Sequence, residues 1–174
     1  MPVIQQVITE GNLVFTFKVD ALASQYDDWS HYRGQFSTVC GGSKAVDIVY
    51  AESSPSRTWL IEVKDYRVHP RTKVIDLADE VAMKVRDTLA GLVSAKCHAN
   101  DVAEKRLAAK LLKCRELRVV LHLELPARQS RLRPRAIDPA LVLQKLRSLI
   151  KAVDPHPAVV DQHTLKPDMT WTVR

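Results

Sequence analysis

Two short apolar runs constrain this chain more than any other feature: Lys44 to Tyr50 and Thr58 to Lys64. Both are rich in β-branched or aromatic residues, and the stretch between them holds Ser53, Ser54, Pro55 and Ser56. That pattern predicts a strand, a turn and a strand. The neighbours of each run are apolar on both sides of the chain, so the strands are expected to be buried on both faces. Yet Asp47 sits inside the first run, and Glu62 and Lys64 end the second. A charge in such a strand costs several kcal/mol unless something compensates it. Three of them on paired strands mark a candidate site.

Register sharpens the expectation. Side chains alternate, so Glu62 and Lys64 share a face with Leu60, while Trp59, Ile61 and Val63 take the other. A four-residue loop, Ser53 to Ser56, sets Asp47 opposite Glu62. A loop one residue longer or shorter turns Asp47 to the wrong face. Two carboxylates converging beside an ammonium suit hard-cation chemistry, in which Mg²⁺ or Mn²⁺ binds carboxylate oxygen and phosphate together.

Asp47, a spacer, and then Glu62-Val63-Lys64 closing an apolar strand with a helix to follow resembles the PD-(D/E)XK nuclease superfamily, also called restriction-endonuclease-like. The resemblance implies an α/β single domain, a mixed central β-sheet flanked by helices with a restriction-endonuclease-like core. It implies a Mg²⁺- or Mn²⁺-dependent nuclease, an endonuclease and hydrolase of DNA phosphodiester bonds. Asp47, Glu62 and the Val63 backbone carbonyl would hold the metal, and Lys64 would position or activate water. The family often adds an acid from its first helix. Glu10 is the candidate here, with Glu80 from the following helix as a substitute. Val46 stands where the family name has proline. Two alternatives stay open. One is a catalytically inactive module of this fold that binds nucleic acid or a protein partner, in a bacterial defence or mobile-element system. The other is an ordinary α/β domain whose Glu62 and Lys64 form a strand-end salt bridge in solvent.

Size agrees with one globular domain over residues 1–174. The resemblance implies that its core spans about 3–125, with residues 126–174 as decoration. The formal net charge of +6 favours a polyanionic partner, DNA on the nuclease expectation. Candidate backbone contacts are Arg67, Arg71 and Lys73 just after the motif, and Arg128, Arg131, Arg133 and Arg135 farther on. Cys40, Cys97 and Cys114 lack metal-ligand spacing and are read as reduced thiols of a cytoplasmic protein. No apolar run approaches membrane-spanning length, so no membrane partner is expected. Cleavage of a duplex would favour a homodimer, and a subunit role in a larger system is equally open.

The remaining pattern reads β, β, β, α, α, β, α, β, β. Asn12 to Asp20 is expected to be the sheet's first strand, and Tyr26 to Phe36 a loop or short helix. Asp76 to His98 is the clearest helix, with Val93 in its apolar stripe and Lys84 and Arg86 turned to substrate or water. Asp101 to Cys114 follows as a helix, with Val102 inward and Asn100 as N-cap. Glu116 to Leu125 reads as a strand with His122 and Glu124 on an exposed face. Asp138 opens a last helix, burying Leu141 and Leu149 among others, and two short strands end the chain.

Overall fold

The computed structural model describes residues 6–18, 22–54, 56–126 and 137–174. The arginine segment holding Arg128, Arg131, Arg133 and Arg135 lies outside the described residues.

Among the described residues, eight strands form two sheets. β1 (Gln6–Glu10), β2 (Leu13–Phe17) and β8 (Trp171–Val173) make an antiparallel sheet ordered β1-β2-β8. The second sheet has the order β3-β4-β5-β6-β7. Its strands are β3 (Leu22–Gln25), β4 (Ile48–Glu52), β5 (Arg57–Asp65), β6 (Glu116–Glu124) and β7 (Ala158–Val160). β3, β4 and β5 run antiparallel, whereas β6 and β7 add in parallel, so the sheet is mixed. Parallel pairing of β5 with β6 requires a crossover. It is supplied by α1 (Leu77–His98) and α2 (Val102–Leu111). The last helix, α3 (Pro139–Ile150), links β6 to β7.

Period-2 alternation in β4 and β5 builds two cores from one sheet. Val49, Ala51 and Leu60 face the helices, where they meet Val81, Val85 and Leu92 of α1 and Leu111 of α2. Ile48, Tyr50, Trp59 and Ile61 face the small sheet, where they meet Phe15, Phe17 and Trp171. The layers are therefore helices, five-stranded sheet and three-stranded sheet, a single α/β domain with a mixed sheet. Trp59 and Trp171 meet edge to face at 5.0 Å between ring centres.

Several expectations change. The strand expected to open the main sheet, β2, belongs to the small one, because β8 returns to pair with it. The C-terminal strands enter both sheets, β8 pairing with β2 and β7 extending the main sheet. The segment after Asp20 contributes the edge strand β3, followed by a five-residue π-helix, Tyr32–Phe36. His122 and Glu124 are buried, since the small sheet covers the face that a lone strand would expose. Val93, Val102, Leu141 and Leu149 are exposed instead of buried. Asp101, rather than Asn100, caps α2. No helix of the described residues is long and apolar enough to cross a membrane.

Candidate functional site

The β4–β5 register runs from Ile48↔Ile61 to Glu52↔Arg57, leaving Ser53 to Ser56 as the turn. Extended by one pair, it sets Asp47 opposite Glu62. Asp47 lies one residue before β4, and three groups of α1 fix that approach. Thr88 Oγ1 accepts the Val46 N–H at 3.0 Å, and Asp87 accepts the Lys44 N–H at 3.0 Å. Lys84 Nζ reaches Asp47 Oδ1 at 3.4 Å. On its other side Asp47 Oδ2 accepts the Val63 N–H at 2.6 Å. The acid therefore staples the hairpin to itself and to the helix.

Glu62 is completely buried. Its Oε1 lies 2.6 Å from Lys64 Nζ and 2.6 Å from Lys84 Nζ. No ion pair of the described residues reaches its Oε2. Burial, and then the charge of Asp47, pushes the Glu62 carboxyl up to about 7 against the pull of Lys84 and Lys64. Burial works against the charge of Lys64 as well, but Glu62 and its contact overcome it and hold that ammonium above its ordinary value. Lys64 also reaches Glu80 of α1, at 3.7 Å. Glu80 is nearly as buried, yet Lys73 and Arg71 touch it at 2.6 and 2.7 Å. Burial would raise its pKa, but those contacts, with Lys64, hold it down at about 2.

The sequence-derived residues thus divide. Asp47, Glu62, Val63 and Lys64 come together as expected. Glu10 sits at the end of β1, where Gln25 donates to it at 3.1 Å. Burial, then the field of Asp47, raises its pKa. Asp27 feels the same two effects. The acids therefore converge electrostatically on Asp47. Arg67 is held by its neighbour Asp65 at 2.7 Å, and Arg71 and Lys73 are held by Glu80. Each is thus engaged by an acid of the fold, although Lys73 stays mostly exposed.

Lys84 is the residue that sequence reasoning misplaced. It was expected to face substrate or water, and it turns into the cluster because Glu80, Lys84 and Thr88 stand four residues apart on the α1 face that packs on the sheet. That spacing, interleaved with Val81 and Val85, was the available signal. Lys84 also bears on metal binding, because its ammonium bridges Asp47 and Glu62 where a shared cation would be needed. No three His, Cys, Asp or Glu side chains of the described residues are grouped to hold an ion. Lys84 thus supplies, between Asp47 and Glu62, the positive charge that a Mg²⁺ or Mn²⁺ would otherwise bring.

A second buried acid–base pair lies on β6. His122 Nε2 is 3.0 Å from Glu124 Oε1, which also accepts the Gln162 N–H at 2.8 Å. Phe15 meets the imidazole edge to face at 5.1 Å. Burial lowers the His122 pKa, against Glu124.

In class, this is an α/β domain with a buried, internally compensated acid–base cluster. No family model matches the chain and no solved structure matches it. It is similar to a cysteine–tRNA ligase of Neisseria meningitidis serogroup A / serotype 4A, 36% identical over 168 residues. The alignment takes in 79% of this chain and 24% of the ligase, so the chain spans about a quarter of that relative's length. This likeness overturns the expectation of a DNA nuclease. The relative is named a ligase acting with tRNA, not an endonuclease or other hydrolase.

Proposed function

We propose that this chain is an RNA-binding domain that acts within or beside a larger protein related to cysteine–tRNA ligase, with tRNA as its ligand. The observation that carries this reading is the alignment, which covers most of this chain and a minor part of the ligase. On this reading the domain supplies binding or positioning and leaves the ligation chemistry to the rest of the larger protein. The net charge of +6 supports a polyanionic ligand. On this reading the five-stranded sheet with α1 is a restriction-endonuclease-like core used as a scaffold. Asp47, Glu62, Lys64 and Lys84 lock the helix to the hairpin and carry out no reaction. The free thiols of Cys40, Cys97 and Cys114 fit a cytoplasmic setting.

The test is equilibrium binding of a cysteine-accepting tRNA transcript and of duplex DNA of similar length, each across a salt series. Tighter binding to tRNA, weakening steeply with salt, is expected. Equal binding to both, or to neither, would sink the reading.

A further inference from the structure

α2 has spent its acids and kept its bases. Asp101 Oδ1 caps the helix, accepting the N–H groups of Ala103 and Glu104 at 2.7 and 3.0 Å. Glu104 turns inward, where Oε1 accepts the Ser30 N–H at 2.6 Å and Oε2 the His31 N–H at 3.1 Å. Neither carboxylate is left for the cations that follow. Lys105, Arg106 and Lys110 are exposed and, at 100° per residue, lie within roughly 140° of one another. Leu107, Ala108 and Leu111 take the opposite side, against the core. Lys113, just past the helix end, is exposed too. None of the four forms an ion pair within the described residues. Other cations are paired, such as Arg57 with Glu116, Arg67 with Asp65 and Lys145 with Asp79, while those unpaired among the described residues, such as Lys18, Lys44, Lys151 and Lys166, are scattered along the chain and are not gathered on one helix.

We infer that the outward face of α2, Lys105, Arg106, Lys110 and Lys113, is the surface on which this domain meets the phosphate backbone of RNA. The inference rests on the RNA-binding reading and gives it a place. Four uncompensated charges aligned on one rigid helix form a stripe that a phosphate chain can follow. They lose little by contact, because no internal partner has to be given up. The loop of Arg67, Arg71 and Lys73 is less free to bind, since each of its cations would have to leave an acid of the fold.

The experiment compares two quadruple variants with wild type, all checked for an unchanged melting temperature. One is Lys105→Gln/Arg106→Gln/Lys110→Gln/Lys113→Gln. The other removes the same net charge from scattered exposed sites, Lys18→Gln/Lys44→Gln/Lys151→Gln/Lys166→Gln. The probe is the cysteine-accepting tRNA transcript. The α2 variant is expected to bind roughly tenfold or more weakly near 0.1 M salt, with its logarithmic salt slope reduced by about three. The scattered variant should keep nearly the wild-type slope. Equal losses in both would show a diffuse charge effect and overturn the inference. So would an α2 variant that binds like wild type, with RNA binding itself left standing. A wild type that binds no tRNA would instead remove the proposed function, and this surface with it.

Discussion

Glu62 and Glu80 are both buried glutamates, both touch Lys64, and they stand on packed elements, yet their acidities are pushed in opposite directions. Glu80 is met by Lys73 and Arg71, which approach from the solvent side and bring separate charge to each of its oxygens. Glu62 is met by Lys64 and Lys84 at one oxygen only, and it faces a second carboxylate, Asp47. Both side chains are closed to water, but Glu62 lies deeper than Glu80, so desolvation weighs more heavily on it. The distribution of cations around the two oxygens, and the like charge of Asp47, push in the same direction and complete the contrast.

The largest test of that contrast is pH. A carboxyl raised from 4.5 to about 7 keeps its proton in the folded state through that window. Stability from Glu62 is thus intact below about 4.5 and falls as pH rises to about 7, by up to about 3 kcal/mol. Urea unfolding of wild type and Glu62→Gln at pH 5 and pH 8 reads it, because the variant should gain on wild type by that order. A constant difference between the two would mean Glu62 is ionised throughout. Glu80 behaves in the opposite sense: its stabilisation is present above about 4.5 and is lost as pH falls towards about 2.

Glu80→Gln should cost about 2 kcal/mol at pH 7, since it leaves Arg71 and Lys73 without their acid. If it costs less than Glu62→Gln at pH 8, the contrast is wrong. Lys84→Met comes next, at about 1 to 2 kcal/mol, because Asp47 and Glu62 then face each other with less compensation. It also opens the space between the two acids, so millimolar Mg²⁺ should raise the melting temperature of the variant and leave wild type unmoved. A Mg²⁺ response in wild type would show that the lysine is not a stand-in. The smallest effect belongs to Lys73→Ala, about 0.5 kcal/mol, since Lys73 is mostly exposed and Arg71 remains.

The hairpin was legible because alternation and a serine-rich turn are local signals, and a four-residue turn fixes the register of Asp47 against Glu62. Lys84 was not, because a charged residue beside an apolar helical stripe normally faces water. Only the packing of α1 on the sheet shows that Glu80, Lys84 and Thr88 are part of its inner face. His122 and Glu124 failed for a similar reason. Their burial depends on Phe15 and the Gln162 segment, distant in sequence. Leu141 and Leu149 look like core by periodicity, but α3 lies at the margin of the helical layer and buries only Leu146 and Ile150 fully. The chemistry suggested by Asp47, Glu62 and Lys64 had the right neighbours and the wrong conclusion, for three residue types at a spacing describe a scaffold as readily as an activity.

The parallel pairing of β5 with β6 carries a consequence for the order of events in refolding. The β4–β5 hairpin closes across a four-residue turn, on the microsecond scale typical of hairpins. β6 can dock only after α1 and α2 have been threaded between, a slower and non-local step. Until then β5 offers an unpaired edge running through Trp59-Leu60-Ile61, a template for a neighbouring chain. Pulsed hydrogen exchange should protect amides of the β4–β5 ladder before those of the β5–β6 ladder. Crowded refolding should lose protein to aggregates during that interval and not afterwards.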